Sequence, residues 1–314
     1  MTPSSNKPNR FSLGRWQPGQ QNEGYLFLLP SLIGFGLFVI LPIIGALVLS
    51  FYKWNLIGAP EFVAFGNYQE LIFQDAVFRK VLGNTFFYAV TIVPLQLILG
   101  LVAAVALNQG IRGLELYRLI YFMPVVTNIV AVAIVFQWLL NRDFGVANAW
   151  VWQLAEATGW AIAPPDWLNS SFWSKPAVVL LTLWKNVGFT MVIYLAGLQS
   201  VPESMYDAAK VDGATPWQRF RYITIPMVSP TTFFLLVIQL IGAFQIFAEP
   251  FVMTGGGPAQ SSLSIVMYIY QNAFEFGRMG KATAIAWILF VVILIFTLIQ
   301  TRLQRRWVHY ETGD

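Results

Sequence analysis

The sequence predicts an all-α, polytopic membrane protein with six transmembrane helices and one folded loop between two of them. Two observations predict it. Of its 314 residues, 57% are hydrophobic and only 11% are charged, against about 25% charged in ordinary soluble domains. Six apolar runs also approach the roughly 20 residues that cross a hydrocarbon core about 30 Å thick. The chain has no cysteine and a single histidine, His309. A disulfide framework, a Cys-ligated metal and a His metal cluster are therefore excluded, so no metal site is expected. A net charge of +4 does not point to nucleic acid. The expected surroundings are membrane lipid.

Residues 1–24, "MTPSSNKPNRFSLGRWQPGQQNEG", are polar and read as a flexible tail. The membrane domain occupies 25–302. Its spans are expected at Tyr25–Phe51, Asn84–Leu107, Leu119–Leu140, Pro176–Gln199, Met227–Ala248 and Ala282–Thr301. Backbone polar groups cannot stay unpaired in lipid, so each span should be a helix. Pro30, Pro42, Pro94, Pro124 and Pro230 predict kinks. The first run is too long for the roughly 7–15-residue apolar core of a signal peptide and reads as a span. Six spans place both termini, including the tail 303–314, on one side. Eleven of the nineteen lysines and arginines fall on that side, seven fall opposite, and Lys185 lies in a span. The positive-inside rule makes the terminal side cytoplasmic. The loop from Asn141 to Lys175 is then outside. It carries Trp150, Trp152, Trp160, Trp167 and Trp173, either as an interfacial aromatic belt on short helices or as a docking surface.

Between the fourth and fifth spans lies "SVPESMYDAAKVDGATPWQRFRYITIPMVSP", which is polar and built for helices. Ser200 and Glu203 fit a capping box with Pro202 in the first turn. Gly213 fits a left-handed C-cap. Thr215 and Gln218 fit a second box, with Pro216 at the first helical position. Met205, Ala208, Ala209 and Asp212 share one face. The result is a small rigid knob.

Polar residues inside spans are costly and mark candidate sites. Trp184, Lys185, Asn186 and Thr190 cluster in the fourth span. Gln239, Gly242, Ala243 and Ile246 share a face of the fifth, with Gln245 and Glu249 beside it. Thr127 and Asn128 follow Pro124 in the third. Each could instead make an ordinary interhelical hydrogen bond. Lys185 has two readings: an ion pair with Glu249, or a group that faces a water-filled cavity and binds substrate.

The stretch "YDAAKVDGATPWQRFRYITIPMVSP" resembles the signature loop of ABC importer permeases, roughly E-A-A-x-x-D-G-A followed by I-x-L-P. Ala208, Ala209, Asp212, Gly213, Ala214, Phe220, Ile223, Pro226 and Pro230 fit that pattern. Asp207 stands where the family usually has Glu, and Ile225 where it has Leu. "WKNVGFTMVIYLAGLQSVP", "YFMPVVTNIVAVAIVFQWLLNRDFG" and the segment from Phe244 to Phe290 resemble its carbohydrate branch, the maltose and glycerol-3-phosphate permeases. The resemblance implies a permease subunit that pairs with a second homologous subunit in a bacterial inner membrane. It implies two ATPase subunits at the cytoplasmic face, which carry the ATP and Mg, so this chain is no enzyme and binds no cofactor. It implies an extracytoplasmic solute-binding protein and a sugar or polyol cargo. The knob, with Tyr206, Asp207, Ala208, Ala209, Asp212, Gly213 and Ala214, becomes the coupling helix seated on the ATPase. Sugar-contacting positions of the maltose type align with Asn186, Phe189, Gln239, Ala243, Ile246, Val125 and Ile129. Trp184 or Phe189 could supply an aromatic platform.

"GRMGKAT", Gly277–Thr283, is not a phosphate loop: Glu275 stands at its first glycine position and Ala282 follows the lysine. "TGGGP", Thr254–Pro258, reads as a helix exit and turn, which the resemblance places near the solute-binding protein. With one histidine, no nucleophile–His–Asp set can form. The rival class is a secondary transporter, which predicts inverted repeats and coupling carboxylates at mid-membrane.

Overall fold

The structure, a computed structural model, describes residues 18–109, 113–159 and 163–308. It divides into two units, Met1–Val48 and Leu49–Asp314. The first holds α1, Pro18–Phe35, and, but for its last residue, α2, Leu41–Leu49, joined by a π-helical stretch, Gly36–Ile40. Helix thus begins at Pro18, inside the segment read as a tail; residues 1–17 of that tail and 309–314 of the C-tail lie outside the described residues. The π stretch precedes Pro42, whose missing N–H breaks the regular bonding of a helix.

The second unit opens with a two-stranded antiparallel ladder, β1 (Tyr52–Lys53) and β2 (Glu61–Phe62), with Tyr52 opposite Phe62. It is a small departure from the all-α expectation. Then come α3, Gly66–Gln69, and α4, Ala76–Leu107. The third expected span is two helices, α5 (Leu114–Val126) and α6 (Ile129–Leu139), which meet at 98°. The loop beyond carries α7, Val146–Thr158, and the fourth span is α8, Ser174–Gln199. The polar stretch forms α9 (Glu203–Val211), α10 (Pro216–Arg219) and α11 (Ile225–Met227). The fifth span, α12, is Ser229–Phe244 and bends by 62° from the segment before it. Finally α13 (Ala248–Thr254) and α14 (Ile265–Tyr270) lead to α15, Met279–Leu303. Four helices are long and apolar enough to span, and six spans result if each bent pair counts as one.

Two of the proline expectations meet a sharp bend, one of them displaced. Pro230 sits in the first turn of α12, two residues after the 62° bend at Val228, so the kink expected there falls where α11 meets α12. The sharp bend near Pro124 falls three residues later, at Thr127 and Asn128. There the Thr127 hydroxyl bonds back to the Pro124 carbonyl, and Asn128 Oδ1 accepts from Val130 and Ala131 N–H at 2.9 and 3.4 Å. A terminal cap of each kind makes two helix ends out of one span.

Helix α8 is the hub. Its Gly188 lies against the α5 backbone, its Gly197 against Thr231 of α12, and its Thr190 against Gly100 of α4. Small residues let helices approach closely where lipid supplies no hydrophobic drive. Helix α4 lies beside it, burying Val81, Thr85, Tyr88, Ile92, Gln96, Gly100 and Ala104 at a helical repeat.

Candidate functional site

The knob forms, with one correction. Ser200 does not cap α9. It closes α8, its hydroxyl donating to Gly197 O at 2.8 Å, and Pro202 takes the N-cap place without a side-chain bond. Because α8 runs to Gln199, Ser200 is already committed to its end. At the other end Gly213 has φ +76°, Ala214 N–H reaches Ala209 O at 2.8 Å, and Gly213 N–H reaches Lys210 O at 3.1 Å. That pair of bonds is a Schellman cap. The second box is made: Thr215 N–H donates to Gln218 Oε1 at 2.7 Å and Gln218 N–H to Thr215 Oγ1 at 3.3 Å. The Tyr206 hydroxyl meets Thr224 Oγ1 at 3.0 Å and ties α9 to the returning chain. The outward side stays bare: Val211, Trp217 and Tyr222 are 89%, 69% and 73% exposed. Asp207, Ala208, Asp212 and Gly213 are exposed too, while Tyr206, Ala209 and Ala214 are half-buried. The surface ion pair of Lys210 with Asp207, 2.8 Å, contributes little.

Within the spans, the structure gives Lys185 a third role. Its ammonium donates to the carbonyls of Val125 at 2.9 Å, Thr127 at 3.1 Å and Pro124 at 3.4 Å. It caps the C-terminal end of α5, where carbonyls lack helical partners and the helix dipole is negative. Glu249 feels the Lys185 charge but makes no ion pair with it. Gln239 donates to Thr190 Oγ1 at 2.8 Å, and Thr190 donates to the Asn186 carbonyl at 3.3 Å. Gln239 Oε1 is buried without a hydrogen-bond partner. Turning the amide over would strand its NH2 instead, so one polar group stays unpaired in either orientation. Trp184 packs on Phe136, ring centroids 5.5 Å apart. Phe189 is half-buried and packs against the apolar cluster that holds Met191 and Tyr194. Asn128, exposed, spends its side-chain oxygen as the cap of α6. Ala243 and Ile246, each 5% exposed, belong to two different apolar clusters. Asn186, Thr190 and Gln239 are thus brought together, and Ala243 and Ile246 pack into core.

Residues 96–309 match the family described as binding-protein-dependent transport system inner membrane component. The chain belongs to that family. Among its relatives, Probable ABC transporter permease protein YesP of Bacillus subtilis is 36% identical over 296 residues, covering 93% of each chain. The lactose transport system permease protein LacF of Rhizobium radiobacter is 33% identical, covering 88% of this chain and 92% of that one. A solved bacterial alginate ABC transporter, in complex with its alginate pentasaccharide-bound periplasmic protein, superposes with TM-score 0.79 at 26% identity, covering 94% of this chain and 98% of that one. This chain is therefore a multi-pass inner-membrane permease with the six-span expectation met by its helices.

The permease also holds a polar network that sequence reasoning missed, at the end of the spans away from α9. Lys281, rejected above as part of a phosphate loop, bonds Glu70 at 2.7 Å and Asp75 at 2.8 Å. The Tyr268 hydroxyl donates to Asp75 Oδ2 at 2.6 Å, and Phe78 N–H to Asp75 Oδ1 at 2.9 Å. Nearby, Asn84, Thr85 and Tyr88 of α4 hold the loop before α14. Asn84 donates to Gln260 O at 2.8 Å, Tyr88 to Ser262 O at 2.9 Å, and Thr85 Oγ1 accepts from Ile265 N–H at 2.9 Å. Gly255, at φ +59°, caps α13 as the helix-exit reading of "TGGGP" requires. The available signal was the start of a polar row, Asn84, Thr85 and Tyr88, at the head of an apolar span.

Burial pushes the Asp75 carboxyl up, but the bonds from Lys281, Tyr268 and Phe78 N–H together hold it below its ordinary value of 3.8. A depressed carboxylate stabilises the fold above its unfolded pKa, and that stability is lost as pH falls through the folded one. Asp75→Asn should therefore cost about 1.5–3 kcal/mol at neutral pH, the range for hydrogen bonds to a charged group. In thermal unfolding of the detergent-solubilised protein, the gap from wild type should be full above about pH 4 and close in stronger acid. A gap that stays constant into strong acid would show that Asp75 is not ionised in the fold.

Proposed function

We propose that this chain is the transmembrane subunit of an ATP-driven importer for a sugar or sugar-like polyol. It pairs with a second homologous permease subunit. Two ATPase subunits sit under the α9–α10 knob and carry ATP and Mg; the chain itself is no enzyme. A solute-binding protein docks at the opposite face, and both termini lie on the ATPase side, as the lysine and arginine distribution supports. The observation that carries the reading is the knob. A capped pair of short helices with exposed apolar side chains is suited to seat against a protein partner. Closure of the ATPases on ATP moves the knobs and switches access between the two faces. The lactose and alginate systems among its relatives and structural neighbours support a saccharide cargo. Asn186, Gln239 and the rings of Trp184 and Phe189 supply amide hydrogen bonds and aromatic faces for it, with the buried, unpaired amide group of Gln239 the strongest recruit. Lys185 and Asn128 act there by holding the α5–α6 break in shape, with Ala243 and Ile246 as packing behind the site.

Reconstituted uptake tests this. Transport into proteoliposomes should require ATP and the ATPase subunits. Gly213→Val should reduce substrate-stimulated hydrolysis several-fold while the subunit still inserts. A left-handed backbone costs a residue with a β-carbon roughly 1–2 kcal/mol, and nothing lies within 4 Å of an added Cβ, so the loss would be one of loop shape. Uptake driven by an ion gradient without ATPases would make the chain a secondary transporter instead.

A further inference from the structure

Two adjoining cavities open at the end of the spans away from the knob. The first, of about 490 Å³, is bordered by residues of two π-helical turns, Glu70–Gln74 and Gln271–Glu275. The second, of about 550 Å³, is bordered by the first of those turns and by the segment that leaves β1. Glu70, Gln74, Arg278 and Lys281 line both, so the cavities share a wall. Each volume falls in the range of about 300–1,000 Å³ typical of small-molecule sites. The walls are held from behind. Lys281 is committed to Glu70 and Asp75. Asn67 Nδ2 donates to the Ser50 and Tyr52 carbonyls at 2.8 and 3.0 Å. Gln260 stands at φ +60°, with its carbonyl held by Asn84. Residues kept in that sparsely populated region cluster at ligand clamps, and π turns recur at functional sites.

The groups left over have one chemistry. In the first cavity Gln74, Gln260 and Gln271 carry side-chain amides without a hydrogen-bond partner among the described residues, beside Phe276, whose ring is 55% exposed. In the second, Asn55 and Gln69 carry further unpartnered amides, beside Trp54, whose indole N–H is held by Gly58 O at 3.1 Å. The Arg278 guanidinium on the shared wall makes no ion pair among the described residues. The charges around the first cavity, Glu70 and Asp75 against Arg278 and Lys281, cancel, which disfavours a small ion. An amide both donates and accepts, as a sugar hydroxyl does, and an aromatic ring covers the C–H face of a pyranose. From this repeated set of one ring and several amides on either side of Arg278, we infer that the two cavities are adjoining subsites for a saccharide chain, with one sugar ring in each. They form a receiving site separate from the Asn186 and Gln239 cluster in the spans. Such a site favours chains of two or more rings over single sugars.

Saturation-transfer NMR tests this on the full chain assembled with its partner subunits in nanodiscs. No ATP is added, so the outcome does not depend on whether uptake needs the ATPases. The probes are cellobiose beside glucose, lactose beside galactose, and digalacturonate beside galacturonate, which covers neutral and acidic chains. At least one disaccharide should show transfer several-fold above its monosaccharide. Phe276→Ala and Asn55→Ala, one exposed position in each cavity, should each lower that signal several-fold while thermal unfolding stays as in wild type. A signal that both variants leave intact would place the sugar elsewhere and overturn the inference. Equal transfer from monosaccharides and disaccharides would overturn the pairing of subsites. No transfer from any probe would also overturn it, and weaker docking of the solute-binding protein in the same variants would then make the cavities a protein contact.

Discussion

Lys185→Met should unfold the break between α5 and α6 and with it most transport. The substitution keeps the length of the side chain and removes its donors. Three carbonyls, of Pro124, Val125 and Thr127, then lose their bonds to the ammonium. Each hydrogen bond to a charged group is worth about 1.5–3 kcal/mol. Counted independently the three would sum to about 4.5–9 kcal/mol; because they share one ammonium and one is 3.4 Å long, a total of about 3–5 kcal/mol is expected, read as a marked drop in thermal stability in detergent and a transport loss of tenfold or more. Lys185→Arg, which retains donors, should recover part of both. The geometry also decides a second comparison. Because Glu249 is not paired with Lys185, adding Glu249→Gln to Lys185→Met should recover nothing. Recovery in the double variant would mean that the two charges do neutralise each other.

Gly188→Ala should be nearly as damaging, for a different reason. A β-carbon there would overlap the Tyr121 carbonyl oxygen and lie 2.7 Å from its carbon and 3.1 Å from the Phe122 Cα. These are backbone atoms of α5, so no side chain can turn away; the whole helix must shift. Overpacking of a well-filled site costs about 1–3 kcal/mol, and the shift would drag the Lys185 cap with it. The sign is testable against a control. Gly83, in the middle of α4's first turns, has nothing within 4 Å of an added β-carbon. Gly83→Ala should leave stability unchanged or raise it by up to about 1 kcal/mol, since glycine is a poor helix former. If both substitutions behave alike in thermal unfolding of the isolated subunit, the close approach of α5 to α8 is wrong.

The sequence by itself determined the class of protein, the position of the spans and the knob. These are written in one-dimensional signals: apolar length, proline and glycine at helix ends, and the Thr215–Gln218 box three residues apart. Such signals act between near neighbours, so they need no partner from elsewhere in the chain. The family pattern around Gly213 belongs to the same kind. Where a local signal had two uses, the chain alone was ambiguous: Ser200 looked like the start of α9 and is the end of α8, because only the true length of α8 decides who needs the hydroxyl. The tertiary structure decided everything that depends on distance across the fold. Lys185 offered two partners in sequence and found a third, the open end of α5, because the 98° break turns carbonyls toward it. Ala243 and Ile246 share a helix face with Gln239, yet neighbouring helices cover the first two in separate cores and leave an amide group of the last unpaired. Lys281 sat in a motif rightly rejected, while its carboxylate partners, Glu70 and Asp75, lie some two hundred residues earlier in the chain. A charge buried at a helix end takes whichever opposite group the packing brings within reach, and no spacing rule along the chain encodes that.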